Sequence, residues 1–201
     1  MDCLNSIAIS TPNGEKHISV NICDIKTLDE PVDVLTVSAF YKSYAPSLGT
    51  LIRALDEKGI SIDLLSQNPL IDLREACNSW LSHSVDNSDL PVRRIGCIEM
   101  SPYSKDRSLW KEKKADIVAS IQAYFHLLDI ASLGGVQVET IAFPILGSGS
   151  QRIDMDFVMI PMLNECSGFL KRNSKAKEIK IIALDPQNAF TLPKPWIIPI
   201  L

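Results

Sequence analysis

The residues of this chain best suited to chemistry lie in one run, Ile141-Ala142-Phe143-Pro144-Ile145-Leu146-Gly147-Ser148-Gly149-Ser150. An apolar, strand-like stretch opens into alternating glycine and serine, and a helical pattern follows. Strand, small-residue loop, helix is the order in which α/β proteins build a phosphate cradle. Backbone N–H groups converge on an anion at a helix N-terminus, and glycine lets the chain approach it closely. The loop carries neither the lysine of a P-loop nor the spaced glycines of a dinucleotide fingerprint, so taken alone it fits a plain turn as well as a phosphate site. Other reactive side chains are scattered. His17, His83 and His126 have no partner spacing for a metal or a nucleophilic pair, and His126, in an apolar helical stretch, is expected to be packed. Cys3, Cys23, Cys77, Cys97 and Cys166 are odd in number and never form C-x-x-C, which argues against a disulfide framework or a zinc site and reads as buried, reduced thiols.

With 46% apolar residues over 201 positions, the chain can bury one substantial core. One α/β domain is therefore expected over residues 1–201, with its core from about 6 to 186. Residues 187–201, apolar and punctuated by Pro193, Pro195 and Pro199, either pack back on that core or lead into a further module. A net charge of −4 and a pI near 5.4 have the wrong sign for nucleic acid or an anionic membrane, so a small polar ligand is the expected partner. The first residues lack the basic-then-apolar pattern of a secretory signal and no apolar run reaches the length of a bilayer span, which points to the cytoplasm.

The elements that must position the Gly-Ser loop follow from periodicity. Residues 6–10 and 16–24 flank Pro12-Asn13-Gly14 and predict a hairpin, since Asn-Gly suits a tight turn. Residues 32–39 form a continuous β-branched run, the mark of a central strand covered on both faces. Leu48, Leu51, Ile52 and Leu55 then repeat at helical spacing from Ser47, and Gly59 closes the helix. Ile71, Ala76, Trp80 and Leu81 predict another helix within 60–83, with Pro69 near its start. A strand at 92–100, a helix at 109–133 ended by Gly134-Gly135, and a strand at 138–146 come next. Lys111-Glu112-Lys113-Lys114 reads as the solvated face of that long helix. Ile153, Phe157, Ile160, Leu163, Phe169 and Leu170 mark a further helix, and 179–184 a last strand. Alternating strands and helices imply a mixed, mostly parallel sheet with helices on both faces, whose ligands bind beyond the C-terminal strand ends.

Two segments resemble one family. Cys23-Asp24-Ile25-Lys26 followed by Val32-Asp33-Val34-Leu35-Thr36-Val37-Ser38-Ala39 is similar to the macro-domain opening, Gly-Asp-Ile-Thr and then Val-Asp-Ala-Ile-Val-Asn-Ala-Ala-Asn. The stretch from Phe143-Pro144 to Ser150 is similar to that family's second phosphate loop, Phe-Pro-x-x-Gly-x-Gly. The resemblance implies a three-layer α/β/α macro-domain-like fold that binds ADP-ribose or a related NAD-derived nucleotide, with no cofactor and no metal. It implies that Asp24 accepts from the adenine amino group, that Ile25 packs beside the ring, and that Ser38 and Ala39 close the strand end. Ser47, Leu48, Gly49 and Thr50 stand in the place of the first phosphate loop. Pro144, Leu146, Gly147, Ser148, Gly149, Ser150, Gln151 and Arg152 enclose the other phosphate and the distal ribose, and Phe190 stands where an adenine platform is often found.

The chain also departs from the family pattern. Asn-Ala-Ala-Asn is replaced by Ser38-Ala39-Phe40-Tyr41, so the asparagine that holds the distal ribose in hydrolytic members is missing, and the first loop keeps only Gly49. Tyr41, Lys42 and Tyr44, as solvated loop residues, and Arg152 could meet a phosphate in another way, and Asp154 or Asp156 could supply a base. No catalytic residue is assigned. The expected function is recognition of the nucleotide, a cyclic ADP-ribose-type signal included, without turnover. The alternatives are an ADP-ribosyl hydrolase with a rearranged site and a ligand-free macro fold serving as an interaction or homo-oligomer module. A fused effector would make the domain a sensor.

Overall fold

The computed structural model describes residues 2–23, 25, 28–85, 89–101, 110–146, 155–173 and 175–183. Strands β1 (Asp2–Thr11) and β2 (Gly14–Ile22) form the expected hairpin, with Gly14 at φ +107°. Strand β3 (Val32–Phe40) leads to helices α1 (Leu51–Asp56) and α2 (Ile62–Gln67), then β4 (Ile71–Asp72), α3 (Arg74–Cys77) and β5 (Ser79–Leu81). Next come β6 (Val92–Met100), α4 (Trp110–Leu133), β7 (Thr140–Pro144), α5 (Met155–Arg172) and β8 (Glu178–Ala183). The eight strands form one sheet in the order β1-β2-β8-β7-β3-β6-β5-β4. From β2 to β6 neighbouring strands run parallel, and the antiparallel pairs lie at the two margins.

The chain moves from β3 toward β6 through α1 and α2, then back from β6 to β7 and β8 through α4 and α5. Parallel crossovers keep one hand, so a reversal of direction puts the connecting helices on the opposite face. The core divides accordingly. Val34, Ile98, Ile141, Phe143 and Ile181 pack with α4 and α5, whereas Leu35, Val37, Ala39, Ile95 and Cys97 pack with α1 and the segment around Ile60. The alternation along β3 from Val34 to Ala39 is the period-two pleat of a strand buried on both faces.

Residues 60–83 do not form the single helix that their apolar spacing predicts. Trp80 and Leu81 pair with Cys97 and Gly96, Ile71 pairs with Leu81, and α3 stops after one turn where Asn78 adopts φ +50°. Tertiary pairing with β6 outweighs the local helical spacing. Two smaller corrections concern helix faces. Leu48 is exposed ahead of α1, and Ile160 is exposed on α5 just before Pro161, so neither belongs to the apolar stripe.

Several polar groups inside the layers are paired, although Trp80 Nε1 and Arg94 Nε are buried without a hydrogen-bond partner among the described residues. Asp33 on β3 accepts from the amides of Glu139 and Thr140 at 2.9 and 3.0 Å, which fixes the start of β7. Lys16, buried on β2, donates to the carbonyls of Leu170 and Asn173 at the end of α5, where a cation also opposes the helix dipole. Its desolvation pulls the ammonium pKa down. Tyr124 of α4 meets Thr36 at 2.9 Å through the gap left by Gly96.

That gap makes a sharp test. A Cβ on Gly96 would stand 2.0 Å from Tyr124 Oη, so Gly96→Ala must displace the ring and break its bond to Thr36. Chemical denaturation should show a loss of about 3 kcal/mol, whereas Tyr124→Phe should cost only about 1 kcal/mol.

Candidate functional site

Parallel pairing brings the ends of β2, β8, β7, β3 and β6 to one edge of the sheet: Ile22, Ala183, Pro144, Phe40 and Met100. The direction of winding reverses between β3 and β7, and ligands of open α/β sheets settle at such a point. Ser38 and Ala39 close one of these strands, while Pro144 and Leu146 close the other. Ser38 is half-buried. Ala39, Ile25, Pro144 and Leu146 are buried. Cys23 extends the pairing beyond β2 by donating to the Ala183 carbonyl at 3.2 Å, and Ile145 does the same beyond β7 toward Ile182 at 3.3 Å. Asp24, Gly147, Ser148, Gly149, Ser150, Gln151, Arg152, Asp154 and Phe190 lie outside the described residues, and Asp156 falls in the first turn of α5.

The first loop is defined in detail. Tyr41 continues the β3–β6 pairing through the Met100 carbonyl, and Ser43 donates to the Phe40 carbonyl at 2.8 Å to close a tight turn. Lys42, at φ +54°, occupies the turn position that glycine normally fills. Its ammonium stands 5.2 Å from the centre of the exposed Tyr41 ring. Tyr44, read from sequence as solvated, is buried and meets the Trp80 ring edge-on at 5.9 Å. Ser47, Leu48 and Gly49 are exposed, Gly49 at φ +73°.

The helix that follows begins at Leu51, later than the apolar spacing that starts at Ser47 predicts, and its cap is Thr50. Thr50 Oγ1 accepts from the Arg53 amide at 3.2 Å and donates to the Ser47 carbonyl at 2.6 Å. Residues at helical spacing before a cap are common, because the apolar pattern does not mark which hydroxyl reaches back.

Beneath the loop lies a residue that sequence reasoning missed. Glu99, near the end of β6, is 1% exposed. Its carboxylate accepts the Lys42 amide at 3.2 Å and the Tyr44 hydroxyl. Arg74 donates to the same hydroxyl at 3.3 Å and is itself held by Asp72. Burial, then the Glu99 carboxylate, push the Tyr44 hydroxyl pKa up to about 12, while Arg74 holds Asp72 below the usual carboxylate range. The available signal was Glu99 itself, the one charged residue in the otherwise uncharged run Ile95-Gly96-Cys97-Ile98-Glu99-Met100.

Cys97 is enclosed and burial raises its thiol pKa well above the usual value, so it is no ready nucleophile. Cys3 is exposed and Cys77 half-buried, contrary to the expectation that every thiol is buried, and His126 is exposed on α4. Among the described residues no group of three or more His, Cys, Asp or Glu could hold a metal, and no helix is long and apolar enough to cross a membrane. A shallow groove lined by Pro31, Asp33, Pro91 and Arg93 opens at the opposite edge, where Asp33 is already engaged by the β7 amides.

Comparison with known proteins bears on the fold. No protein-family model and no curated protein matches the sequence. Solved structures do match, macrodomains among them. The Oceanobacillus iheyensis macrodomain with ADP is similar over 92% of this chain and 90% of its own, at 13% identity and a TM-score of 0.66. A mutant of that macrodomain with ADPR covers 92% of both chains, at 13% identity and a TM-score of 0.66. The Trypanosoma brucei macrodomain in complex with ADP is similar over 85% of this chain and 65% of its own, at 14% identity and a TM-score of 0.57. This chain has the macrodomain fold.

Two measurements check the local geometry. Thr50→Ala should lower stability by about 1 kcal/mol and Ser47→Ala by less than about 0.5, as denaturation midpoints would show. Tyr44 is held protonated more tightly in the folded state, so its stabilisation is complete below its ordinary pKa of 10.0 and is lost as pH rises through about 12. Wild type should therefore lose more stability than Tyr44→Phe across that alkaline window, measured by urea unfolding at each pH.

Proposed function

We propose that this protein binds ADP-ribose or a related NAD-derived nucleotide at the edge where β3 and β7 end, and that it does so without turnover. The observation that carries this reading is the fold: similar structures hold ADPR or ADP. In this reading Asp24 takes the adenine amino group, because an ionised carboxylate only accepts hydrogen bonds and so matches an N–H₂ donor. Gly147, Ser148, Gly149 and Ser150 wrap one phosphate with backbone N–H groups, and the exposed turn around Ser47 and Gly49 faces the other. Gln151 and Arg152 close over the distal ribose, and Phe190 stacks on adenine. The chain forms one such domain in the cytoplasm, and cyclic ADP-ribose-type signals fall within the same ligand chemistry.

Recognition is favoured over hydrolysis by what stands near the strand ends. Cleavage of a ribosyl bond needs a held water and an accessible group to deprotonate it. Ser38-Ala39-Phe40-Tyr41 stands where the family has Asn-Ala-Ala-Asn, so the ribose-holding asparagine is missing, and Glu99, the carboxylate beneath the first loop among the described residues, is buried under Lys42 and Tyr44.

Calorimetry with ADP-ribose, NAD and cyclic ADP-ribose tests the proposal. Saturable binding of at least one is expected, weakened roughly tenfold or more by Asp24→Ala, the size of a charge-assisted hydrogen bond. Silence with all of them, or release of ADP-ribose from a modified protein, would overturn it.

A further inference from the structure

Lys42 is the observation that asks for an explanation. A lysine at φ +54° in a turn that prefers glycine costs on the order of 1 kcal/mol, and such strain persists only where the surroundings over-determine it. Here the surroundings are Glu99. Its carboxylate binds the strained residue's own amide and, two residues on, the Tyr44 hydroxyl. Trp80 and Arg74 hold Tyr44 from its other sides, and Asp72 holds Arg74. The result above this buried anchor is an exposed ammonium set beside an exposed aromatic face, at the end of the strand that borders the switch point.

We infer that Glu99 is a positioning residue. It holds residues 41–44 so that Lys42 presents its cation, steadied by the Tyr41 ring, to the pyrophosphate of a nucleoside-diphosphate ligand. This rests on the function proposed above and names how its glycine-poor first loop meets the phosphates. With few glycines the backbone cannot close on an anion freely, and a fixed cation supplies the charge complement instead. Glu99 never touches ligand; it acts through the turn.

The test separates the anchor from the ligand. Amide exchange by NMR on the free protein should show Lys42 N–H exposed about tenfold faster in Glu99→Leu, with the amides of β3 unchanged. Glu99→Gln, which keeps an acceptor oxygen, should restore protection to within about threefold of wild type. ADP-ribose affinity should follow the same order, and Lys42→Ala should lower it about tenfold while leaving the melting temperature nearly unchanged. Unchanged Lys42 exchange in Glu99→Leu would overturn the anchor. Lost protection with unchanged affinity, or full affinity in Lys42→Ala, would overturn its role in binding. If wild type ignores ADP-ribose, the proposed function fails and the pyrophosphate role of Lys42 with it, while Lys42 exchange still decides the anchor. Should Glu99→Leu not fold, Tyr44→Phe decides: it cuts one tether, and Lys42 exchange must accelerate.

Discussion

Parallel pairing of β3 with both of its neighbours is the constraint from which the rest of the molecule follows. A parallel pair cannot be joined by a tight turn, so each connection must climb over a face of the sheet and begin again at the far edge. Each of β2, β3, β6, β7 and β8 therefore ends on the same edge, and whatever chemistry the loops carry is gathered there. The same pairing requires β3 to be apolar on both faces. Its burial between the α4/α5 layer and the α1/α2 layer is what lets the loop beyond Phe40 start from a fixed point.

Within that frame the two faces use polar groups differently. On the α4/α5 face Tyr124 and Thr36 satisfy each other, and Gly96 leaves the space for the ring. This contact locks α4 across β3 and β6. On the other face Glu99 is one residue from the end of its strand, so its partners, the Lys42 amide and the buried Tyr44 hydroxyl, belong to the loop that follows β3. A buried carboxylate is costly unless its hydrogen bonds are made. Here the groups that make them belong to the loop, and the stability of the interior becomes tied to the shape of the site's rim.

The sequence disclosed those features that repeat or interrupt a repeat. The β-branched run of β3, the Asn13-Gly14 turn, Gly59 after α1 and Gly134-Gly135 after α4 are each where local chemistry places them. The segment from β4 to β5 was illegible because strands of two and three residues are too short to show a period, and their extended form depends on β6. That α1 starts after Thr50 and not at Ser47 turned on a single hydroxyl's reach. Tyr44 was read as solvated because its partner stands 55 residues away, and no local pattern announces a pair at that separation. His126 was expected inside because its neighbours Phe125, Leu127 and Leu128 are, yet a helix buries a stripe and its sequence neighbours do not share it.

The glycine-poor first loop gains its meaning from this coupling. A glycine-rich loop is adaptable: it can close around an anion because its backbone has many states, and closing it sacrifices that entropy on binding. A loop whose turn residue is held by Glu99 and whose next aromatic is wedged against Trp80 has fewer states before any ligand arrives. Such a loop gives up close backbone approach and gains preorganisation, with charge placed by a side chain. Preorganisation helps a protein that recognises one molecule. The group that fixes the turn, Glu99, is buried, so one carboxylate sets both the shape of the loop and the satisfaction of the interior beneath it.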